Sequence, residues 1–332
     1  MNIAISINEK FARYGYVMLL SLFEQHADIP VQVFVLCRSL SDGVQEDYRN
    51  LTKRFKGKTV TFLFVSGDLL PFSLPSSEKW PVEIYFRLLL PFLLPEAERI
   101  LYLDTDIIIS GPLKEMYDLP FGEDLLWGAV DNSDGNLNEN QKKIFAGLKT
   151  GDCDFHYINS GVLLMNLSGL RDYYQPSDVT DLADRFSDHL SAFDQDIINF
   201  LFYRKIRYLV GERYNFFARL YHNSGYTKKE VLDKGVSIIH YSGAKPWSGE
   251  NLLTDLESFW WEIAKNTPYY HDFLEERLQE EIRVGFENSH EFIYARHQIE
   301  NAQNEIRRCK EREKEYLALL AESKKLIESM AK

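Results

Sequence analysis

The 332-residue sequence predicts an α/β protein, a mostly parallel central sheet with flanking helices followed by a helical tail. Three observations carry that reading. Apolar, strand-like runs alternate with amphipathic stretches near the start of the chain. Two carboxylates, Asp104 and Asp106, interrupt the apolar run Arg99-Ile-Leu-Tyr-Leu-Asp104-Thr-Asp106-Ile-Ile-Ile109. Apolar residues then recur at heptad spacing from Phe292 onward.

Residues 3–7 read as a buried strand and Asn8-Glu9-Lys10 as a polar loop. A helix from about Tyr14 to His26 follows, with Val17, Leu20, Leu22 and Phe23 on its apolar side. Residues 31–36 form a second strand, Ser41-Asp42 can cap a helix running to about Phe55, and residues 59–65 form a third strand. This alternation is the pattern of a parallel sheet with right-handed crossovers, on which ligands bind outside the carboxyl ends of the strands. After a loop holding Pro71, Pro75 and Pro81, residues 82–94 read as a helix. Arg87 within it is expected at the surface or in a structural ion pair.

Residues 127–130 make another short strand, which opens into Asp131-Asn-Ser-Asp-Gly-Asn136, a loop composition suited to polar ligands and to ordinary turns alike. Residues 157–166 join a polar mouth at Asn159 and Ser160 to an apolar strand. Residues 193–202 read as a helix with Asp194, Gln195 and Asp196 in its first turn. The helix dipole favours one acid there but does not require the triplet. A last strand leads through His240 into a loop containing Gly243, Lys245, Pro246 and Trp247.

Composition bounds the function. With 45% hydrophobic and 27% charged residues the chain is that of a globular protein. A net charge of -12 leaves no basic excess to displace counterions from nucleic acid, and an acidic protein handling anionic substrates needs a metal or local cations. Cys37, Cys153 and Cys309 form no CxxC pair, which suggests neither a disulfide framework nor a zinc site and fits a reducing cytoplasm. The first residues lack the features of a secretory signal, and the apolar stretch 88–94 is far too short to span a bilayer. The expectation is a cytoplasmic protein without a transmembrane segment, touching the inner face of the membrane only peripherally.

Burying unpaired carboxylates is costly, so Asp104 and Asp106 require a partner, a metal or a cation. At a strand's carboxyl end the pair can hold one divalent ion against a phosphate-bearing ligand. Haloacid-dehalogenase-type phosphatases carry a similar Asp-x-Asp, but near the start of the catalytic domain and continuing in Thr or Gly. Calcium loops need more oxygen ligands at closer spacing. A structural turn is the remaining bland reading.

Taken together, Tyr85-Phe-Arg87, Leu101-Tyr-Leu-Asp104-Thr-Asp106, Ile158-Asn159-Ser-Gly161, Asp194-Gln195-Asp196 and His240-Tyr-x-Gly243-x-Lys245-Pro-Trp247 make the chain resemble the family-8 retaining glycosyltransferases. That group includes bacterial lipooligosaccharide galactosyltransferases and glycogenin. The resemblance runs in order from residue 1 to about Trp247. It implies a GT-A fold that transfers a hexose from UDP-glucose or UDP-galactose, with retention, to a glycan, glycolipid or glycoprotein. It further implies that Asp104, Asp106 and His240 hold Mn²⁺, or Mg²⁺, against the donor's diphosphate. Ser6, Asn8 and Phe11, with Arg87, Thr105, Asn159, Asp194, Gly243 and Lys245, match donor-contacting positions. Gln195 matches the residue on the reacting face, so Gln195 and Asp194 are the catalytic candidates. Asn8 and Phe11 depart from the family's usual Asp and Tyr.

In the tail, Phe292, Ile299, Ile306, Leu320 and Ile327 repeat every seven residues or a multiple of seven, offset from Ala295, Ala302, Cys309, Tyr316 and Met330. This is an a/d register interrupted by Glu313 and Ser323. It predicts a coiled coil or helical hairpin, and a homo-oligomer formed through it. The expected division is a catalytic domain over residues 1–267 and a helical tail over 268–332. Two other functions are compatible with the residues: an inert sugar-nucleotide-binding assembly protein working through its coiled coil, and an Asp-nucleophile phosphatase using Mg²⁺.

Overall fold

The computed structural model describes residues 1–78, 80–131, 137–148, 155–221, 227–248, 255–286 and 303–317. The chain divides into two compact units. One comprises Met1–Ala244 with Leu253–Thr267, and the other Lys245–Leu252 with Pro268–Lys332.

The first unit opens with β1 (Asn2–Ser6), α1 (Glu9–Gln25), β2 (Val31–Cys37), α2 (Asp42–Lys53) and β3 (Lys58–Phe64). A 3-10 helix (Val82–Leu89) runs into α3 (Leu90–Leu93), followed by β4 (Arg99–Leu103), β5 (Ile107–Ile109), α4 (Lys114–Tyr117), β6 (Leu126–Val130) and α5 (Glu139–Phe145). Then come β7 (Ile158–Asn166), α6 (Leu167–Tyr173), α7 (Pro176–Arg185), α8 (Asp194–Phe202), β8 (Ile206–Tyr208), α9 (Gly211–Tyr214) and β9 (Phe216–Phe217). A 3-10 turn (Ala218–Tyr221), α10 (Lys228–Asp233), β10 (Ile238–His240) and α11 (Asp255–Ala264) complete it.

Seven strands form the main sheet in the order β3-β2-β1-β4-β7-β6-β8. All run parallel except β7, which is antiparallel to both of its neighbours. A second sheet of three strands has the order β5-β10-β9. The mixed α/β architecture with a mostly parallel sheet is the one expected. Strand alternation explains the two-sided core. Ala4, Phe34, Leu36, Ile100, Tyr102, Leu163 and Met165 share one apolar cluster with Tyr85, Phe86 and residues of α6, α7 and α8. Ile3, Ala4 and Ile5 are all fully buried, as a central parallel strand covered on both faces requires.

Two local expectations need correction. The polar stretch after β1 is a cap and first turn rather than a loop: Asn8 accepts from the backbone N–H of Phe11 at 3.1 Å, so α1 begins at Glu9 and not near Tyr14. Residues 82–94 are not one helix but a 3-10 helix followed by a single α turn. Pro91 has no N–H to give the carbonyl of Arg87, so the α ladder cannot run through it. The apolar stretch that Asp104 and Asp106 interrupt forms two strands, β4 in the main sheet and β5 in the small one.

The second unit holds α12 (Tyr270–Phe286) and a helix over residues 303–317. Lys310 of that helix pairs with Asp272 at 2.8 Å, laying it against the first turn of α12. Among the heptad positions described there, Ile306 is half-buried while Cys309 and Tyr316 are exposed. The rest of the heptad register, residues 292–302 and 318–330, lies outside the described residues. So do Asn132 to Asn136 of the polar loop and Cys153. Among the described residues no helix is long and apolar enough to cross a membrane.

Candidate active site

The site is assembled by strand register. β4 ends at Leu103, paired with Val162 of the antiparallel β7, and the Asp104 N–H donates to the Gly161 carbonyl at 2.8 Å. Because β7 runs backwards, its first residues, Asn159 to Gly161, arrive at the carboxyl ends of the parallel strands. In the small sheet His240 pairs with Ile107, and the Tyr241 N–H donates to the Asp106 carbonyl at 2.9 Å. The link between β4 and β5 thus carries Asp104 toward Gly161 and Asp106 toward His240.

There the ligand atoms of Asp104, Asp106 and His240 lie within 4.8 Å of one another. The two acids are half-buried rather than fully buried, and His240 is 2% exposed. His240 Nε2 stands 3.2 Å from Asp106 Oδ1. Nε2 can meet that carboxylate either by carrying the ring's own proton or by sharing a cation with it. Two hard oxygen ligands and one imidazole make a donor set that suits Mn²⁺ or Mg²⁺. The fit is good.

Gly161 makes this closeness possible. A Cβ at that position would stand 2.6 Å from Asp104 Oδ2 and 2.6 Å from His240 Cε1. Only hydrogen fits between the two ligands.

Of the two readings expected for Arg87, the ion pair holds and the surface position does not, and the pair is made with two acids at once. Arg87 is 3% exposed, reaches Asp104 Oδ1 at 3.0 Å and Asp194 Oδ2 at 3.1 Å, and donates to the Ser160 carbonyl at 2.5 Å. Its guanidinium lies over the Tyr102 ring, 4.2 Å from the centroid, while the Tyr102 hydroxyl donates to Asp104 Oδ1 at 3.1 Å. Burial opposes the Arg87 charge, but Asp104 and Asp194 more than offset it and raise its pKa. Asp194 answers to the same setting. Burial pushes its carboxyl up to about 7, partly opposed by Arg87 and reinforced by Asp104 and Asp196.

The triplet at the start of α8 divides by role. Asp196 is fully buried and accepts from Tyr157, Gln141 and the backbone N–H groups of Ser191 and Ala192. Four donors saturate it, so it holds the approach to α8. Gln195 faces the site: its Oε1 accepts from Asn159 Nδ2 at 3.0 Å and from the Ser160 N–H at 2.9 Å, and its Nε2 donates to Asp131 at 3.0 Å. Phe193, just ahead of the triplet, has φ of 48°, a strained backbone for an aromatic residue at the mouth of a site.

Ser6 lies at the end of β1. Asn8 and Phe11, on the first turn of α1, are half-buried. Thr105 is buried, its methyl turned toward Gly15 of α1. Gly243 takes φ of 103°, which favours glycine, and packs beside Arg219. Lys245 belongs to the second unit.

Four participants are not singled out as site residues by the sequence. Asn199 clamps the first residue of β7 by exchanging hydrogen bonds of 2.8 Å with the backbone of Ile158. Asn215 bridges His240 and Asn159. Tyr102 reads as one more apolar strand residue. Arg219 pairs with Asp131 at 2.9 Å, and of these two only Asp131 stood in a stretch marked by composition.

Residues 2–251 match the family described as Glycosyl transferase family 8. The chain is 28% identical over 260 residues to a lipopolysaccharide 1,2-glucosyltransferase of Escherichia coli, covering 74% of this chain and 73% of that one. It is 25% identical over 274 residues to a lipopolysaccharide 1,3-galactosyltransferase of Salmonella typhimurium, covering 81% and 79%. Its fold is that of LgtC: the crystal structure of an active-site mutant superposes with a TM-score of 0.67 at 23% identity, covering 81% of this chain and 96% of that one. The phosphatase reading therefore falls, since the Asp-x-Asp segment sits in a glycosyltransferase framework, and nothing supports the inert assembly protein. With its carboxylate–histidine cluster at the carboxyl edge of a mostly parallel sheet and its sequence matched over three quarters of its length, the chain is a glycosyltransferase and belongs to glycosyl transferase family 8.

Proposed function

We propose that this glycosyltransferase moves a glucosyl or galactosyl residue from a UDP-sugar to a lipopolysaccharide-type glycan, with retention of configuration. Asp104, Asp106 and His240 would hold Mn²⁺, with Mg²⁺ as a substitute. The observation that carries the reading is the convergence of those three side chains beside the buried Arg87 and the Gln195 carboxamide. The hexose and the acceptor class rest on the names of the relatives, a glucosyltransferase and a galactosyltransferase of lipopolysaccharide.

The bound metal would neutralise charge on the departing diphosphate. The chain's own residues bind and orient. Asn8 has its oxygen engaged by the Phe11 N–H, which leaves its NH₂ to donate to a uracil edge, and Phe11 offers a face for stacking. Arg87 and Asp194 form a rigid polar wall, and Asn159 and Gln195 present carboxamides to the sugar. Lys245 would add a positive charge at the diphosphate.

Retention by front-face attack fits this wall. The bond from the anomeric carbon to the phosphate oxygen breaks while the acceptor hydroxyl bonds on the same face, and its proton passes to the departing oxygen. A double displacement needs a free carboxylate instead. Asp196 is saturated by four donors, Asp194 is held by Arg87, and the Gln195 oxygen already accepts twice. A covalent glycosyl adduct trapped on Asp194 or Asp196 in the unaltered enzyme would overturn the front-face route.

The remaining parts of the reading are a catalytic domain over residues 1–267, a tail that pairs copies of the chain, and a protein that touches the membrane's inner face only peripherally. The direct test is UDP-sugar turnover with and without Mn²⁺. Asp106→Ala should lose Mn²⁺-dependent turnover by at least about 100-fold with little change in melting temperature. Full activity in that variant would remove the metal reading.

A further inference from the structure

Asn215 stands between α9 and β9 and is 1% exposed. Its carboxamide makes two contacts. Oδ1 lies 2.7 Å from His240 Nδ1, and Nδ2 lies 3.0 Å from Asn159 Oδ1. The neighbours dictate which end is which. A backbone N–H can only donate, so the atom of Gln195 that meets the Ser160 N–H at 2.9 Å is its oxygen, as is the atom of Asn159 that meets the Gly161 N–H at 3.0 Å. The other end of Asn159 is then its NH₂, and it meets the Gln195 oxygen in the right sense at 3.0 Å. Facing the Asn159 oxygen, Asn215 must present its own NH₂. Its oxygen therefore faces His240, and an oxygen only accepts, so the proton of the neutral ring sits on Nδ1.

That leaves Nε2 as the ring nitrogen with a lone pair to give. It is the one that stands 3.2 Å from Asp106 Oδ1. Imidazole alone has no such constraint, and its other tautomer would place an N–H where a ligand is needed. The order begins with two backbone amides and runs through Gln195, Asn159 and Asn215 to His240, so the reacting face and the metal cluster share one hydrogen-bonded chain.

Resting on the metal reading above, we propose that Asn215 is a positioning residue of the metal site: it holds His240 in the Nδ1–H tautomer with Nε2 directed at the cation. Partners of this kind on metal-ligating histidines are worth about 10–100-fold in metal affinity. The link through Asn159 adds a second consequence. Disturbing Asn215 also leaves the Asn159 carboxamide, which holds Gln195, secured by the Gly161 N–H alone at its oxygen.

The test has a part that needs no metal. Nitrogen-15 spectra of metal-free protein, with His240→Gln used to identify the His240 signals, should show the neutral ring protonated on Nδ1. The second part measures free Mn²⁺ by electron paramagnetic resonance during titration in the presence of UDP. Asn215→Leu, similar in size but without polar atoms, should weaken Mn²⁺ binding by about 10–100-fold. Asn215→Asp keeps the acceptor for Nδ1–H and loses only the donor to Asn159, so it should bind Mn²⁺ more tightly than the Leu variant. The proposal is overturned if the neutral ring carries its proton on Nε2, if the Leu variant binds Mn²⁺ normally, or if the Asp variant is as weak as the Leu variant. Should the Leu variant fail to fold, the spectrum of the unaltered protein still decides. Absence of Mn²⁺ binding by the unaltered protein would overturn the metal reading instead, and the spectrum would still settle the tautomer.

Discussion

Single atoms set the tolerances of this site. Gly161 is the sharpest case, because a methyl group there meets a carboxylate oxygen and an imidazole carbon, each at 2.6 Å. Gly161→Ala should push the ligands apart and cost about 100-fold in Mn²⁺-dependent turnover, as misplacements near 1 Å do, with a smaller effect on melting temperature. Normal turnover and Mn²⁺ affinity would show that the ligands can spread freely. Asp194 makes a second prediction at this scale. Its folded carboxyl titrates near 7 against an ordinary value of 3.8, so between those values the folded state holds a proton that the unfolded state has released. Its contribution to stability therefore falls as pH rises from 3.8 to about 7 and is level outside that window. Urea unfolding of Asp194→Asn should lack this slope. Parallel stability curves for the two proteins across the window would refute it. Gly161 and Asp194 were both legible in the sequence as members of short polar motifs. Their physical roles were not, because each depends on atoms from strands or helices far away in the chain.

Elements carry the site because their ends are secured. α1, which displays Asn8 and Phe11 at its first turn, is anchored at the other end by Lys58. That side chain is 6% exposed and donates to the carbonyls of His26, Ala27 and Ile29 at 2.7, 3.2 and 2.6 Å. A cation just past the carboxyl end of a helix satisfies carbonyls of the turn that follows it and complements the dipole. Lys58→Met should destabilise the protein by about 1–3 kcal/mol in urea unfolding, since the partly buried carbonyls of Ala27 and Ile29 would lose this donor while His26 would keep the Ile29 N–H. A loss under about 0.5 kcal/mol, the range of ordinary surface changes, would show that water replaces the ammonium there. Apolar periodicity marked most of these elements to within a few residues. It missed the break at Pro91 because the 3-10 segment and the following turn are equally apolar, and it missed the start of α1 because a polar cap resembles a polar loop.

At the scale of the whole molecule, the second unit orders the segment that carries Lys245. Lys245 and Pro246 cluster with α12 rather than with the chain that precedes them. Within that unit Arg277 donates to the Pro246 carbonyl at 2.5 Å, and the Ser248 N–H donates to the Lys245 carbonyl at 3.0 Å. The tail therefore holds the segment whose lysine is proposed to meet the diphosphate. Arg277→Ala should raise the KM for the UDP-sugar several-fold more than it lowers kcat, the pattern of a lost binding contribution. Glu281→Gln, which removes a charge that Arg277 contacts at the exposed side of α12, should change neither. An unaltered KM in Arg277→Ala would separate the tail from donor binding.

Read alone, the chain determined its α/β class and the families of residues that carry its chemistry. Alternating apolar periods and polar motifs at strand ends are local properties, written within ten or so residues of each other. Which motif meets which was decided only by the tertiary structure. The antiparallel course of β7 brings Asn159 and Gly161 to the Asp104 edge, the pairing of β10 with β5 seats His240 beside Asp106, and burial turns Arg87 into the shared counter-ion of Asp104 and Asp194. Asn215 had no local signature at all. A lone buried amide acquires a role only when register and topology supply the two partners that fix its orientation, and no local pattern records that.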